Sequence, residues 1–305
     1  MLINRNGFLF KLCASVCQSR NLPIRYDLEW VHLETPTMPE LNAIVTQRID
    51  FAPGLMILRV APDGWELPAF KPGQFSVLGL AASAPRAETA SPESPVPAAD
   101  AFIRRAYSIA SSSNERDYLE FYIAHVQSGA LTPRLFSLSV GDRVYLAPKA
   151  TGMFTLDQVP QNQNLIFIGT GTGLAPYMSM IRTQVEANEP RRIFVLHGAR
   201  NSWDLGYRTE LFYLQRLAPN FTYVPTLDGP ETEAVPWKGY VGFAQDLWKQ
   251  GVIDQAWGFK PTPTNSHTFL CGNPLMIEAM TEVLVKEGFT VHSKQTPGQI
   301  HIEEF

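Results

Sequence analysis

The chain has 305 residues, 45% of them hydrophobic and 18% charged, a balance that fits packed cores and excludes a disordered chain. A single core stops growing near about 250–300 residues, so two domains are expected. The formal net charge of -4 excludes overall attraction to nucleic acid, and no run reaches the ~18–20 apolar residues that span a bilayer, so a cytoplasmic protein without membrane insertion is expected.

Residues 1–39 form an N-terminal extension in which Arg5, Lys11, Arg20 and Arg25 all precede the first acid, Asp27. A cleaved targeting segment is one reading of such a basic, acid-poor start. Nonfunctional sequence from an upstream translation start before Met38 is the other. From Leu41 to about Pro148 the pattern predicts short strands over Ala43 to Ile49, Leu55 to Val60, Gln74 to Leu80, Ala106 to Ala110, Leu119 to Val126 and Arg143 to Ala147. Turn chemistry at Pro53-Gly54, Asp63-Gly64, Pro72-Gly73 and Gly141-Asp142 separates them, as in a small antiparallel β-barrel. Residues 81–101, rich in Ala, Ser and Pro, bury too little apolar surface to offset ordering and read as a mobile insertion between two strands.

After Pro160 the rhythm changes to strand, glycine turn and helix. Asn164 to Ile168, Ile193 to His197, Phe221 to Val224 and Thr268 to Cys271 read as buried strands. Pro176 to Glu186, Thr209 to Leu217 and Pro274 to Glu287 read as helices. Alternation of this kind predicts an α/β doubly wound parallel sheet. The expected domains are therefore residues 40–155 and 156–305.

The turn Gly169-Thr170-Gly171-Thr172-Gly173 follows a strand and opens a helix. Glycines there let the backbone approach a pyrophosphate, and unpaired amides favour its charge. A glycine-rich turn without ligand remains the alternative, because the spacing is not G-x-G-x-x-G. Arg200 follows the second strand of this half, where an arginine favours the 2′-phosphate of NADP, although a solvated arginine would look the same. In the first half, alternation puts Arg105 and Tyr107 on one strand face, where a guanidinium can pair with a diphosphate and a ring can pack on a flat cofactor. Cys13, Cys17 and Cys271 fit neither a disulfide framework nor a metal or iron–sulfur ligand set, so no metal is expected. His125, His197, Met178 and Met180 are assigned to packing.

In order along the chain, Arg105-Ala106-Tyr107-Ser108, Leu119 to Ile123, Gly129 to Leu135, Gly152-Met153-Phe154, Gly169 to Pro176 and Cys271-Gly272-Asn273-Pro274 resemble the ferredoxin (flavodoxin)–NADP+ reductase family, bacterial type. Met38 falls where many bacterial members begin, which favours the upstream-start reading. The resemblance implies an FAD-binding barrel followed by an NAD(P)-binding α/β domain. It implies that Arg105, Ala106, Tyr107 and Ser108 grip FAD, with Arg105 on the pyrophosphate and Tyr107 along the isoalloxazine. Tyr122, Ile123 and Ala124 would run beside the cofactor, with Tyr122 and Ala124 by the adenosine. Ala130 and Leu131 would give amides, and Thr132 a hydroxyl, to the diphosphate. Thr172 would sit between flavin and nucleotide, with Gly171, Gly173, Gly272, Asn273 and Pro274 along NADP and Arg200 and Arg208 at its 2′-phosphate. Cys271 would line the nicotinamide pocket. Glu303 would stand near Ser108 with proton-relay duty, and the terminal Phe305 would stack on the flavin.

The activity so implied is hydride transfer from NADPH to FAD, then single electrons to ferredoxin or flavodoxin, by a monomer. The segments holding Leu227 and Tyr240 lack the arginines that NADP-binding relatives often add, so NADH stays open. A flavin reductase, an oxygenase reductase component, and a flavin electron-transfer module without turnover are the competing readings.

Overall fold

The computed structural model describes residues 39–184 and 190–304. The N-terminal extension up to residue 38 and Phe305 fall outside the described residues.

Six antiparallel strands form the first layer: β1 (Ala43–Ala52), β2 (Leu55–Pro62), β3 (Phe75–Ala81), β4 (Phe102–Ser108), β5 (Leu119–Ala124) and β6 (Arg143–Leu146). Their order is β4-β3-β6-β1-β2-β5. A bridge from Ile109, just past β4, to Phe121 in β5 joins the two edges, so the sheet closes and leaves no long free edge. Alternate residues point inward, and Val45, Leu58, Leu78, Ile109, Phe121 and Leu146 fill the barrel. A short helix, α1 (Thr132–Leu135), lies between β5 and β6.

The second layer contains β7 (Asn164–Thr170), α2 (Ala175–Gln184), β8 (Ile193–Ala199), α3 (Arg208–Leu217), β9 (Phe221–Leu227), β10 (Tyr240–Val241), α4 (Ala244–Lys249), α5 (Val252–Trp257), β11 (Ser266–Cys271), α6 (Pro274–Lys286) and β12 (Ile300–Glu303). Its strands pair in parallel in the order β10-β9-β8-β7-β11-β12. Strand alternation splits the core in two. Phe167, Val195 and Phe269 meet α2 and α3 on one face, whereas Ile166, Ile168, Phe194 and Leu196 meet α4 to α6 on the other. Each such side chain contributes roughly 1.5–3 kcal/mol by leaving water.

The segment between β3 and β4 differs from its sequence reading. Residues 82–101 are not a free tether but are bonded to α1 and the turn before it, with Ala87 N donating to Pro133 O at 2.9 Å and Ser91 N to Gln127 O at 3.0 Å. Backbone bonds and the pairing of Glu93 with Arg134 and Arg86 hold it, with only Ala82, Ala84 and Ala101 packed on the barrel core.

A polar network joins the layers. Glu120 in β5, 1% exposed, accepts hydrogen bonds at 2.7 Å from Arg59 Nε, Arg182 Nη1 and Tyr207 Oη, and Arg182 also pairs with Glu210 of α3. Burial pushes the Glu120 carboxyl up, but the Arg182 charge and the hydrogen bonds from Arg182, Tyr207 and Arg59 outweigh that and leave its pKa lowered. Tyr207 adopts φ of 58°, a left-handed conformation costly for a residue with a Cβ. Its ring bond to Glu120 and the packing of Tyr122 against it hold it there.

Candidate functional site

The parallel sheet changes direction of build between β7 and β11: β8 to β10 are added on one side, β11 and β12 on the other. Loops leaving the carboxyl ends of such neighbouring strands part and open a crevice. The glycine turn after β7 and Gly272 after β11 stand there. They line a cleft of about 730 Å3 together with Thr170, Gly171, Thr172, Asn273 and, from the barrel, Pro53 to Leu55 and Ala124.

Gly171 has φ of +53° and no atom within 4 Å of the position a Cβ would take, so its backbone faces open space. Gly173 is tight instead, since a Cβ would lie 2.3 Å from the Cys271 carbonyl oxygen. One glycine thus exposes the turn and the other seats it against β11. Asn273 Oδ1 accepts from Leu275 N at 2.8 Å and Pro274 occupies the first turn of α6, an N-cap worth about 1 kcal/mol. Asn273 and Pro274 therefore fix the second wall of the crevice, with Asn273 on the cleft and Pro274 behind it.

Past the end of the crevice, where β4 meets β12, Ser108 and Glu303 meet although 195 residues apart, with Oγ donating to Oε2 at 2.9 Å. Burial raises the Glu303 pKa to about 7, with the Ser108 bond pulling the other way. Arg105 and Ala106 are exposed on β4, and among the described residues the Arg105 guanidinium bonds only the neighbouring Arg104 carbonyl, so most of its donors are open to an anion. Tyr107 packs edge-on against Phe121, and burial raises its phenol pKa against the opposing charge of Arg105. The amides of Ala130, Leu131 and Thr132 have no acceptor among the described residues. Open guanidinium donors and unpaired turn amides suit a diphosphate, and an exposed switch-point glycine turn suits a second one, so the residues present fit both FAD and a nicotinamide dinucleotide.

Several expected contacts fall elsewhere. The Tyr122 ring is 3% exposed between Phe51 and Tyr207, its hydroxyl accepts from Gly206 N at 3.0 Å, and the residue belongs to the joint between the layers. Ile123 and Leu131 put their side chains into the barrel core, leaving only backbone for a ligand, while Ala124 is exposed on the cleft. The Thr132 hydroxyl is engaged with Val126 N and O, so only its amide is open. Cys271 is fully buried and lies behind the cleft wall, with burial and then Glu303 pushing its thiol pKa up; it is a packed small residue there. The Arg208 guanidinium lies over the rings of Trp237, at 4.8 Å, and Phe212, and Arg208 is not among the residues that line the cleft. Phe305 lies outside the described residues. His197 is buried against Tyr223, in keeping with packing, and burial lowers its pKa to about 4.

Arg200 does line the cleft, and sequence reading missed its neighbours Asp228 and Phe243. It also missed Glu120 and Arg182, though a lone carboxylate within Leu119-Glu120-Phe121-Tyr122-Ile123 was a usable signal, since a buried acid needs partners.

Residues 95–152 match the family described as "Oxidoreductase FAD-binding domain" and residues 167–282 that described as "Oxidoreductase NAD-binding domain". Among solved structures, a ferredoxin NADP+ reductase from Neisseria gonorrhoeae with bound FAD and NADP is 25% identical with TM-score 0.72, covering 86% of this chain and 97% of its own. The reductase component DmpP of a Pseudomonas phenol 2-monooxygenase is 37% identical over 60% of this chain and 49% of its own length. A flavodoxin/ferredoxin–NADP reductase of Shigella flexneri is 32% identical over 208 residues, 68% of this chain and 76% of that protein. With that identity and coverage, the chain belongs to the flavodoxin/ferredoxin–NADP reductase family.

Proposed function

We propose that this protein is an FAD-dependent reductase that takes hydride from NADPH and passes electrons singly to ferredoxin or flavodoxin. Residues 40–155 hold the flavin in this reading and residues 156–305 the nucleotide. The observation that carries it is the meeting of Ser108 and Glu303 at the carboxyl end of β12, beside the switch-point crevice. FAD, when bound, supplies the chemistry of accepting a two-electron hydride and releasing electrons one at a time. Arg105 and the amides of Ala130, Leu131 and Thr132 anchor its diphosphate, and Tyr107 packs along its ring. Gly171, Thr172 and Gly272 seat the dinucleotide so that its reacting ring is aligned rather than free to tumble. Glu303, with its pKa near 7, holds a proton that it exchanges at Ser108 Oγ close to neutral pH.

The test is a side-by-side titration of the FAD-loaded protein with NADPH and NADH, following loss of flavin absorbance and then reoxidation by ferredoxin or flavodoxin. Bleaching by NADPH and reoxidation by the carrier are expected. A folded protein that binds no FAD, or bound FAD that neither nucleotide bleaches, refutes the reading. Arg200 is the one Lys or Arg lining the cleft among the described residues and Asp228 lines it from β9's end, so measurable use of NADH is expected beside NADPH. The likeness to DmpP supports a second reading, service as an oxygenase reductase component, which reoxidation by an oxygenase and not by ferredoxin would reveal. A single species at the monomer mass in sizing chromatography is expected.

A further inference from the structure

The segment joining β3 to β4 grips the turn that leads into α1. Arg134 is the centre of the grip, with its side chain 2% exposed. Its Nη1 donates to Glu93 Oε1 at 2.7 Å and to Ala130 O at 2.6 Å, and its Nη2 donates to Glu93 Oε2 at 3.1 Å and to Ala82 O. Arg86 acts beside it, donating to Ser91 O at 2.8 Å and to Gly129 O at 3.4 Å. Ser91 N reaches Gln127 O at 3.0 Å.

The acceptors in the turn are carbonyls, and that decides the aim of the amides. A trans peptide unit is planar, so the carbonyl of one residue and the N–H of the next point in opposite directions. Arg86 on Gly129 O turns the Ala130 N–H away from the insertion, and Arg134 on Ala130 O does the same for the Leu131 N–H. Those two amides have no acceptor among the described residues. A cation on each carbonyl also polarises the peptide and strengthens the N–H as a donor.

We propose that the insertion is a clasp for the flavin site, in which Glu93, through Arg134, and Arg86 are positioning residues that aim the Ala130 and Leu131 amides at the FAD diphosphate. This rests on the assignment of that turn to the diphosphate given above. Without Glu93, Arg134 loses its only carboxylate partner among the described residues and is drawn from Ala130 O toward water. The turn then samples orientations in which the two amides no longer converge.

The experiment compares wild type with Glu93→Ala, Arg86→Met and, as a control in the same segment, Glu88→Gln, whose side chain is exposed. FAD affinity is measured by fluorescence on the apoprotein, and the two 31P resonances of the bound FAD diphosphate are recorded. Glu93→Ala and Arg86→Met are expected to raise the FAD Kd about tenfold, the scale of one charge-assisted hydrogen bond, and to shift the 31P resonances. Glu88→Gln is expected to change neither. If Glu93→Ala does not fold, Arg86→Met decides. An FAD Kd within twofold of wild type, or weakened binding with unmoved 31P resonances, overturns the clasp. A wild-type protein that folds and binds no FAD overturns the reductase reading instead.

Discussion

Glu120→Ala removes the one carboxylate at the centre of the joint between barrel and parallel sheet. Glu120 accepts three hydrogen bonds of 2.7 Å, two from guanidinium groups and one from a phenol. Removing one partner of a buried ion pair costs about 3–5 kcal/mol because the remaining charge is left uncompensated. The lower end applies, since Arg182 keeps Glu210 and is 20% exposed, and Arg59 keeps Gln47 and is 30% exposed. A loss of about 3 kcal/mol at pH 7 corresponds to a fall in Tm of roughly 6–12 °C for a protein of this size. The pH dependence has a definite sign. The folded-state pKa of Glu120 is depressed, so its contribution is present above the ordinary carboxylate range and is lost as pH falls through the depressed value. Thermal melts by circular dichroism at pH 7 and in stepped acid buffers measure both, and the gap between wild type and variant should narrow with acid. A loss under about 1 kcal/mol at pH 7, or a gap that widens on acidification, refutes a buried ionic joint.

Glu303→Gln should abolish a pH inflection near 7 in the rate of NADPH oxidation, because the group whose burial raises its pKa to about 7 no longer titrates; the profile is read from pH 5.5 to 8.5. Glu303 ionised is the buried form that costs most, so wild-type stability should fall, relative to this variant, as pH rises from the ordinary carboxylate range through 7. Gly173→Ala places a methyl 2.3 Å from the Cys271 carbonyl oxygen and should lower stability by about 1–3 kcal/mol and weaken NADPH binding, both read from melts with and without nucleotide. Arg200→Met should raise the KM for NADPH about ten- to a hundredfold, as expected for losing a charge-assisted bond to a phosphate, while leaving KM for NADH within about twofold.

The strands were legible because their alternation and turn residues are local signals. β1, β5, β7 and β11 lie where the pattern puts them, within one or two residues for most ends. α4 and α5 were missed for a physical reason: each has six residues, too few to show an apolar period, and left-handed Gly251 separates them. The place of the glycine turn and Arg200 on the cleft was readable because backbone freedom and charge are written in single residues. The surroundings of Tyr122 and Arg208 are not written in single residues. A ring on β5 can face a cofactor or the neighbouring layer, and only the position of Tyr207 decides which. Arg208 is captured by Trp237, whose segment gives no sequence sign of folding back. The contacts of the proline-rich insertion were hidden for a related reason, since they join its backbone, Arg86 and Glu93 to residues some forty positions away.

α2 begins at the glycine turn and carries Arg182 near its other end, so one helix links the crevice to the joint between barrel and sheet. At 1.5 Å per residue, the seven steps from Ala175 to Arg182 span about 10 Å, and a helix of this kind hardly stretches. Tyr177, from the same helix, shares its one hydroxyl proton between the carbonyls of Ile168 and Phe269, each at 2.9 Å, and so pins the helix to both strands that flank the crevice. The distance from the glycine turn to the joint at Glu120 is therefore held by a helix rather than by a loop, and a substitution that shortens or bends α2 should disturb the crevice and the joint together.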